Sequence, residues 1–238
     1  MRCHNIVVVV IKTLYTNGCS FTWGDELSNR ELRYSRLLSD KLQVNLIDDS
    51  MCGSSNDRIL RTTFDFIRKH KDNSKDFFIV IQWSGILRRE FYFNGWNKIT
   101  PTMIGTNPYA ECWYTLQSQR QDNQTFFNQV LLLQLWLEKY GFKYFMFRHD
   151  NGNTPQTIKD GSQREISDGY NTKYIDKEQL TEINMKTFPS YLSDELTFRE
   201  YALSNSGGLK PNKHPDEISH KVFSEYLYTM YNGDNNEL

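Results

Sequence analysis

Seven consecutive residues, 77–83, constrain the fold of this chain more than any other segment. Their sequence is FFIVIQW, which is apolar at almost every position and rich in aromatic and β-branched side chains. A strand in which successive side chains are apolar is covered on both of its faces. Strands of this kind belong to parallel sheets that lie between two layers of helices.

Strand and helix patterns alternate on either side of this segment. Residues 6–16 are apolar and β-branched and predict a buried first strand that ends at Asn17 and Gly18. Residues 44–47 and 142–148 predict two more strands, and the predicted helices are 56–70, 126–140 and 215–231. The alternation predicts an α/β fold, a three-layer α/β/α sandwich with a mostly parallel, flavodoxin-like sheet. Residues 12–16 and 77–83 are expected to be neighbouring strands.

The length of 238 residues suits one large α/β domain or two small ones. No internal repeat is visible, so we expect a single domain over residues 1–238, with insertions at about 86–123 and 149–203. The first insertion has no strong periodicity and is interrupted by Pro101, Gly105 and Pro108. A long irregular segment of this kind is usually functional. Its rings are expected to fold over the strand ends and to form one wall of a substrate cleft, or else to extend the core or bury a dimer contact.

Charge and hydropathy exclude several classes of partner. Lys and Arg total 28 against 29 for Asp and Glu, so the chain lacks the strongly basic surface that nucleic-acid binding requires. The longest apolar run, 6–11, is far shorter than the ~20 residues that span a bilayer. It also lacks the small-residue cleavage pattern of a signal peptide. We therefore expect a cytoplasmic protein with neither nucleic-acid nor membrane partners. The oligomeric state is left open.

Residue usage bears on cofactors and on the source of the gene. The four cysteines form no Cys-x-x-Cys pair, so neither a disulfide framework nor a cysteine zinc site is expected. Alanine is rare, whereas Asn, Lys, Ile, Tyr and Phe, which have AT-rich codons, are abundant. This usage indicates an AT-rich genome such as that of a virus. For a viral protein, the location would be the host cytoplasm or the virion.

Ligands of parallel α/β sheets bind beyond the carboxyl ends of the strands, so the residues that follow each strand are the most informative. Ser20 follows the first strand in a tight turn, where a serine hydroxyl and backbone N–H can meet a substrate. Gly53 follows the second strand at a predicted helix start. His214 and Pro215 directly precede the last helix. Taken singly, each of these residues also fits an ordinary turn, cap or surface position.

Taken together, the three positions resemble the SGNH (GDSL-like) hydrolase superfamily over residues 12–83 and 205–231. The first sequence block of that superfamily, Gly-Asp-Ser-x-x-x-Gly, corresponds to Gly18-Cys19-Ser20-Phe21-Thr22-Trp23-Gly24, with Cys19 in place of the aspartate. The run Gly53-Ser54-Ser55-Asn56 is similar to an uncharacterised branch found in phage and marine bacterial genomes.

The resemblance implies a serine esterase that uses no metal or cofactor. Ser20 would be the nucleophile, His214 the general base, and the N–H groups of Ser20 and Gly53 the donors to the oxyanion. The implied substrate is a small ester, such as an O-acyl group on a glycan.

Two departures from the superfamily pattern affect this implied site. The third block, Gly-x-Asn-Asp, is replaced by Ser84-Gly85-Ile86-Leu87, so its oxyanion asparagine is missing. Asn56 of the second loop is expected to substitute for it. The aspartate that usually precedes the histidine by two or three positions is also missing, and Asn212 or a backbone carbonyl is expected to orient His214.

Other residues near the strand ends have two interpretations each. Trp83, Ser84 and Arg88 follow or end the third strand and are candidate substrate contacts, although core packing for the tryptophan and a helix start for the arginine fit equally. Cys19 and Cys52 flank Ser20 and Gly53 as buried thiols or, less commonly, as a nucleophile.

Two rival functions remain at this point. A catalytically degenerate binding or virion-associated protein would keep the fold without the two missing side chains. A flavodoxin-like nucleotide module lacks support because the chain has no Gly-rich phosphate loop.

Overall fold

A computed structural model of the chain describes residues 11–150, 155–157, 165–167, 170–191 and 193–233. The start of the predicted first strand, Cys3, and most of the predicted polar loop at 149–168 lie outside these residues. The described strands are β1 (Thr13–Asn17), β2 (Asn45–Asp48), β3 (Phe77–Trp83), β4 (Arg89–Tyr92), β5 (Trp96–Ile99), β6 (Lys143–Arg148), β7 (Pro155–Thr157) and β8 (Glu165–Ser167). The described helices are α1 (Ser20–Trp23), α2 (Tyr34–Leu42), α3 (Asn56–His70), α4 (Pro108–Leu116), α5 (Gln119–Lys139), α6 (Lys177–Leu180), α7 (Phe198–Ser204) and α8 (Glu217–Gly233).

A parallel four-stranded sheet with the order β2-β1-β3-β6 forms the centre of the fold. Thr13 of β1 pairs with Asn45 of β2 on one side and with Phe77 of β3 on the other. The predicted adjacency of the first strand and the 77–83 strand is therefore confirmed. Every residue of β3 is buried, as its unbroken apolar sequence requires.

Neighbouring residues of each strand point to opposite faces of the sheet, and helices cover both faces. Ile79, Ile81 and Trp83 face a core that includes residues of α3 and α5, whereas Phe78 and Val80 face a second core that includes residues of α2, α7 and α8. This is the predicted three-layer α/β/α arrangement. Its topology directs the carboxyl ends of β1, β2, β3 and β6 to one edge, where the candidate functional residues follow them.

The first insertion is more regular than the sequence predicts. It contains an antiparallel hairpin of β4 and β5 and the helix α4, and α5 begins at Gln119 rather than at 126 because Ser118 Oγ accepts a hydrogen bond from the N–H of Gln121. Its inner side chains join the core; they are Ile86, Leu87, Ile99, Ala110 and Tyr114.

None of the helices in the described part of the chain combines the length and the apolar character that a membrane crossing demands.

Candidate active site

The turn after β1 is held by one side chain from β3. Gln82 Oε1 accepts hydrogen bonds from the backbone N–H of Cys19 and of Thr22, each at 3.2 Å, and from the hydroxyl of Thr22 at 2.9 Å. A Cβ atom at Gly18 would lie 2.3 Å from Thr22 Oγ1 and 2.9 Å from Gln82 Cβ, so this approach requires glycine. Ser20 consequently opens the short helix α1 in a fixed position.

The loop after β2 is joined to the turn after β1 by the backbone. The N–H of Asp49 bonds to the carbonyl of Thr16 at 2.9 Å, and the N–H of Met51 bonds to the carbonyl of Gly18 at 3.2 Å. Gly53 lies in this loop with φ of 74°, in the left-handed region that favours glycine. Within the described residues, the N–H groups of Ser20 and Gly53 donate to no protein acceptor. Two backbone donors are thus left for a ligand at this edge of the sheet.

His214 is paired with a carboxylate that the sequence analysis did not identify. Its Nδ1 lies 2.7 Å from Glu26 Oε2. Because a carboxylate only accepts hydrogen bonds, Nδ1 is the donor in this contact, and Nε2 is the nitrogen left to act as a base. Burial raises the pKa of Glu26, but hydrogen bonds from His214 and from Asn212 outweigh burial, and the net pKa is below the ordinary value. Glu26 is therefore ionised at neutral pH.

The expected role of Asn212 is wrong in this structure. Asn212 Nδ2 and its backbone N–H donate to Glu26 Oε1 at 2.8 and 3.3 Å, and the same carboxylate contacts His214 through its other oxygen. Asn212 thus holds the group that orients the histidine. The one sequence signal for Glu26 is the acidic pair Asp25-Glu26 directly after the first block. The contact itself joins residues 188 positions apart.

The second nitrogen of His214 faces Asp25. Nε2 lies 3.6 Å from Asp25 Oδ2, which also accepts a hydrogen bond of 3.2 Å from the thiol of Cys52. No hydrogen bond joins His214 to Ser20 Oγ within the described chain. The two residues are nevertheless on the same edge, because the His214 ring packs against the ring of Phe21 with centroids 5.6 Å apart.

Asn56 cannot serve as the expected oxyanion donor. Its side chain is fully buried, its Oδ1 accepts from the N–H of Ser84 at 2.8 Å, and its Nδ2 donates to the carbonyl of Ser84 at 3.1 Å. An amide that is engaged at both ends and shielded from solvent does not meet a substrate. Asn56 instead fixes the backbone at the end of β3.

Of the three expected substrate contacts, Trp83 is contradicted by its burial. Its side chain is 0% exposed and packs edge-to-face on Phe126 with centroids 5.6 Å apart, which is the core-packing alternative. Ser84 is buried and lines a water-sized cavity with His149. Arg88 is half-buried, and its charge contributes to the lowered pKa of His149.

A second histidine, His149, follows β6 and was not identified from the sequence, which places it at the start of a polar loop. Its backbone N–H donates to the carbonyl of Trp83 at 3.1 Å. In its side chain, Nε2 lies 3.2 Å from Asp150 Oδ1, and the ring packs edge-to-face on Phe21. Burial lowers the pKa of His149 to about 4. The ring is therefore neutral and part of the core.

The thiols do not offer a nucleophile in this structure. Burial, and then the hydrogen bond to Asp25, raise the pKa of Cys52 to about 11, so the thiol stays protonated at neutral pH. Cys19 is fully buried beneath the turn. Across the part of the chain that is described, no three His, Cys, Asp or Glu side chains are grouped as a metal site would need.

The parallel sheet, with a serine after its first strand and a histidine before its last helix, defines a class of fold, the SGNH hydrolase-like fold. Solved structures with the same architecture include the psychrotrophic esterase EstA from Pseudoalteromonas sp., inhibited by monoethylphosphonate in that structure. It is 12% identical, with 94% of this chain and 99% of that chain covered and a TM-score of 0.53. The acetyl xylan esterase AlAXEase is 13% identical, with 91% and 98% covered and a TM-score of 0.50. Similarities at this level of identity establish the fold.

A family model described as a family of unknown function (DUF6071) matches residues 25–233, and the chain belongs to this family. The matched range contains Glu26, Gly53 and His214 and begins after Ser20. A search of curated proteins finds no match to the sequence.

Proposed function

We propose that the protein is a serine hydrolase that cleaves an ester through Ser20, His214 and Glu26. The observation that carries the proposal is the 2.7 Å contact between His214 Nδ1 and Glu26 Oε2, at the same strand ends as Ser20. A nucleophile, a base and a group that orients the base are the three parts that hydrolysis by a serine requires. The esterases among the structural neighbours have the same fold and support the same reaction class.

In the proposed reaction, Ser20 Oγ attacks the ester carbonyl and its proton passes to His214 Nε2. Nε2 has the lone pair for this transfer, because Glu26 holds the proton on Nδ1. The charge of Glu26 then stabilises the imidazolium ion that forms. To accept the proton, His214 would turn its Nε2 from Asp25 towards Ser20.

The oxyanion of the tetrahedral intermediate would accept hydrogen bonds from the N–H groups of Ser20 and Gly53. Both groups lack acceptors within the described residues, which supports this role. The imidazolium ion gives its proton to the departing alkoxide, and an acyl-Ser20 ester remains. Water, deprotonated by His214, then attacks this ester and releases the acid and free Ser20. With Asn56 buried, the site has one oxyanion donor fewer than the superfamily pattern, which typically costs ~10²–10³ in rate.

For the substrate we propose a small ester, with O-acyl groups on a glycan as one form. The name of AlAXEase records an acetylated glycan as the substrate of that structural neighbour. A second candidate is a catalytically degenerate binding or virion-associated protein. The absence of a Ser20–His214 hydrogen bond among the described contacts favours this alternative.

Labelling with a fluorophosphonate probe tests the choice. The probe should attach covalently to Ser20 in the folded wild-type chain and should not attach to the Ser20→Ala variant. Cys52→Ser is the matched control, because it removes the thiol that contacts Asp25 and should leave labelling intact. A folded wild-type protein that remains unlabelled would favour the binding protein.

A further inference from the structure

A cleft of about 540 Å³ is walled on one side by the loop after β2 and on the other by the β4–β5 hairpin. The loop contributes Ser54 and Ser55, and the hairpin contributes Trp96 and Lys98. The volume is in the range of small-molecule sites. We call this space the hairpin cleft.

Lys98 links the hairpin cleft to the backbone donor proposed for the oxyanion. Its Nζ lies 3.5 Å from the carbonyl oxygen of Cys52, and a Cβ atom at Gly53 would lie 2.8 Å from the same Nζ. The ammonium group therefore lies against the loop that contains Gly53, while the side chain lines the cleft. The hairpin cleft is thus within the length of one lysine side chain of Gly53.

No carboxylate in the described part of the chain pairs with Lys98. Glu90 lies directly opposite on β4, where an acid ordinarily pairs with a lysine. Both oxygens of Glu90 are instead held by Arg61, whose Nε and Nη2 each donate at 2.9 Å. Asp25 faces His214, with Oδ2 3.6 Å from Nε2. The positive charge of Lys98 is therefore left for a ligand.

Arg58 supplies a second positive charge to the wall of the hairpin cleft. Its Nη1 donates to the carbonyl of Asp49 at 2.8 Å and to Ser54 Oγ at 3.3 Å, which holds the guanidinium group in place. Among the residues that the structure describes, its Nε and Nη2 meet no acceptor, and neither atom is enclosed by protein. This is the edge with which Arg61 holds Glu90. It is a fork that suits two oxygens of a carboxylate or a phosphate.

The two cations contact adjacent residues of one loop, because Arg58 is bonded to Ser54 and Lys98 lies against Gly53. Glu90, the one acid in the described wall of the cleft, is neutralised by its pair with Arg61 outside that wall. The hairpin cleft consequently has an excess of positive charge, although the whole chain has a formal charge of -1. A cleft lined by charges of one sign concentrates ligands of the opposite sign.

We propose that Arg58 and Lys98 bind an anionic group of the ester substrate, either a carboxylate or a phosphate. The free edge of Arg58 donates to two of its oxygens, and the ammonium group of Lys98 pairs with its charge. An acylated acidic sugar has this chemistry. That the anion belongs to the substrate rests on the proposed function, whereas the binding of an anion in the hairpin cleft does not.

The binding test uses three probes of similar shape: methyl glucuronide, its neutral amide, and methyl glucoside 6-phosphate. Each is titrated by NMR into the Ser20→Ala variant at low ionic strength. At least one of the two anions should bind about tenfold more tightly than the amide, with shifts centred on Gly53 and Trp96, and the tighter anion identifies the group. The preference should shrink as salt is added. Equal affinities for the three probes, or no binding of any, overturn the proposal.

Lys98→Met should lower the affinity for the preferred anion about tenfold and leave the affinity for the amide unchanged. Lys69→Met is the matched control, because Lys69 is an exposed lysine in the last turn of α3. Arg58→Lys keeps the charge but removes the fork, and should also weaken the anion about tenfold. Because Arg58 also holds the loop, Lys98→Met decides the case if Arg58→Lys does not fold. Unchanged anion affinity in Lys98→Met overturns the assignment.

The role of the anion in the substrate is tested with the wild-type chain. The value of kcat/KM for acetylated methyl glucuronide or acetylated methyl glucoside 6-phosphate should exceed that for the acetylated amide about tenfold, and Lys98→Met should remove this preference. Fluorophosphonate labelling of Ser20 is measured separately. If the anion binds as expected but Ser20 is not labelled, the anion site stands and the proposed function fails. If Ser20 is labelled but the probes bind alike, the anion site fails and the proposed function stands.

Discussion

Two histidines pack against the ring of Phe21, and their surroundings are opposite in character. His214 lies in a loop, is partly exposed, and has an ionised carboxylate on Nδ1. His149 directly follows β6 and is buried, and its backbone N–H is bonded to the carbonyl of Trp83 at the end of β3. Burial makes protonation of His149 costly, whereas Glu26 is placed to stabilise a protonated His214. The comparison shows that proximity to the candidate nucleophile does not by itself identify a base.

The largest expected difference between the two histidines is tested by removing each ring in turn. His214→Ala should lower the rate of ester hydrolysis by a factor on the order of 10⁵, with little change in melting temperature, because it removes the proposed base from a partly exposed site. His149→Leu should leave the rate within about tenfold of wild type, because a buried apolar side chain replaces a packing group. Steady-state hydrolysis of a chromogenic ester, with calorimetry on the same samples, measures both quantities. The reverse pattern would make His149 the base.

The next test concerns the carboxylate. Glu26→Gln keeps the shape of the side chain but removes the charge that would stabilise protonated His214, so kcat should fall by a factor on the order of 10³ with KM nearly unchanged. Glu31→Gln is a suitable control because Glu31 is an exposed acid on the same segment, with its side chain 60% exposed. Equal rates for Glu26→Gln and the control would show that the charge of Glu26 does not assist His214 in the reaction.

The buried, neutral state of His149 should affect the pH dependence of protein stability rather than the rate of ester hydrolysis. Its pKa is lowered from the ordinary 6.5 to about 4 in the folded chain, so below pH 6.5 the unfolded chain binds a proton that the folded chain does not. The free energy of unfolding should therefore fall by roughly 3 kcal/mol between pH 6.5 and pH 4 on account of this group.

Urea unfolding at a series of pH values measures this loss. His149→Leu should show a shallower decline than wild type, and the decline that persists would include the contribution of His220, whose pKa burial lowers to about 3. A variant with an unchanged pH dependence would show that His149 is not buried in its neutral form.

The sheet was predictable because it depends on local patterns. An unbroken apolar strand such as β3 implies two covered faces, and helix α3, predicted at 56–70, is observed at Asn56–His70. The positions of Ser20, Gly53 and His214 beyond strand ends or before a helix follow from the same reasoning. These predictions need only the order of elements and their periodicity.

The pairing of side chains was not predictable in the same way. Glu26 reaches His214 because the chain returns to the first turn after 188 residues, and no local pattern encodes that return. Asn56 was misassigned because its sequence position is adjacent to the loop, while its side chain turns inward to Ser84. Trp83 was expected to contact the substrate because it ends β3, but its side chain points into the core. The residues that follow the strand do not show in which direction this side chain points.

The smallest expected effect comes from placing an acid at position 212, one of the two positions at which the superfamily pattern has its aspartate. Asn212 precedes His214 by two residues, and its Nδ2 lies 2.8 Å from Glu26 Oε1. In the wild-type background, Asn212→Asp should lower the rate, because two carboxylates would face each other where an amide now donates.

In the Glu26→Gln background, the same substitution should restore roughly tenfold of the lost rate, the value of one charge-assisted hydrogen bond to the ring. Asn212→Ala in that background supplies no carboxylate and should restore nothing. If Asn212→Asp restores no more than Asn212→Ala, the geometry around His214 accepts a carboxylate only from the loop that contains Glu26.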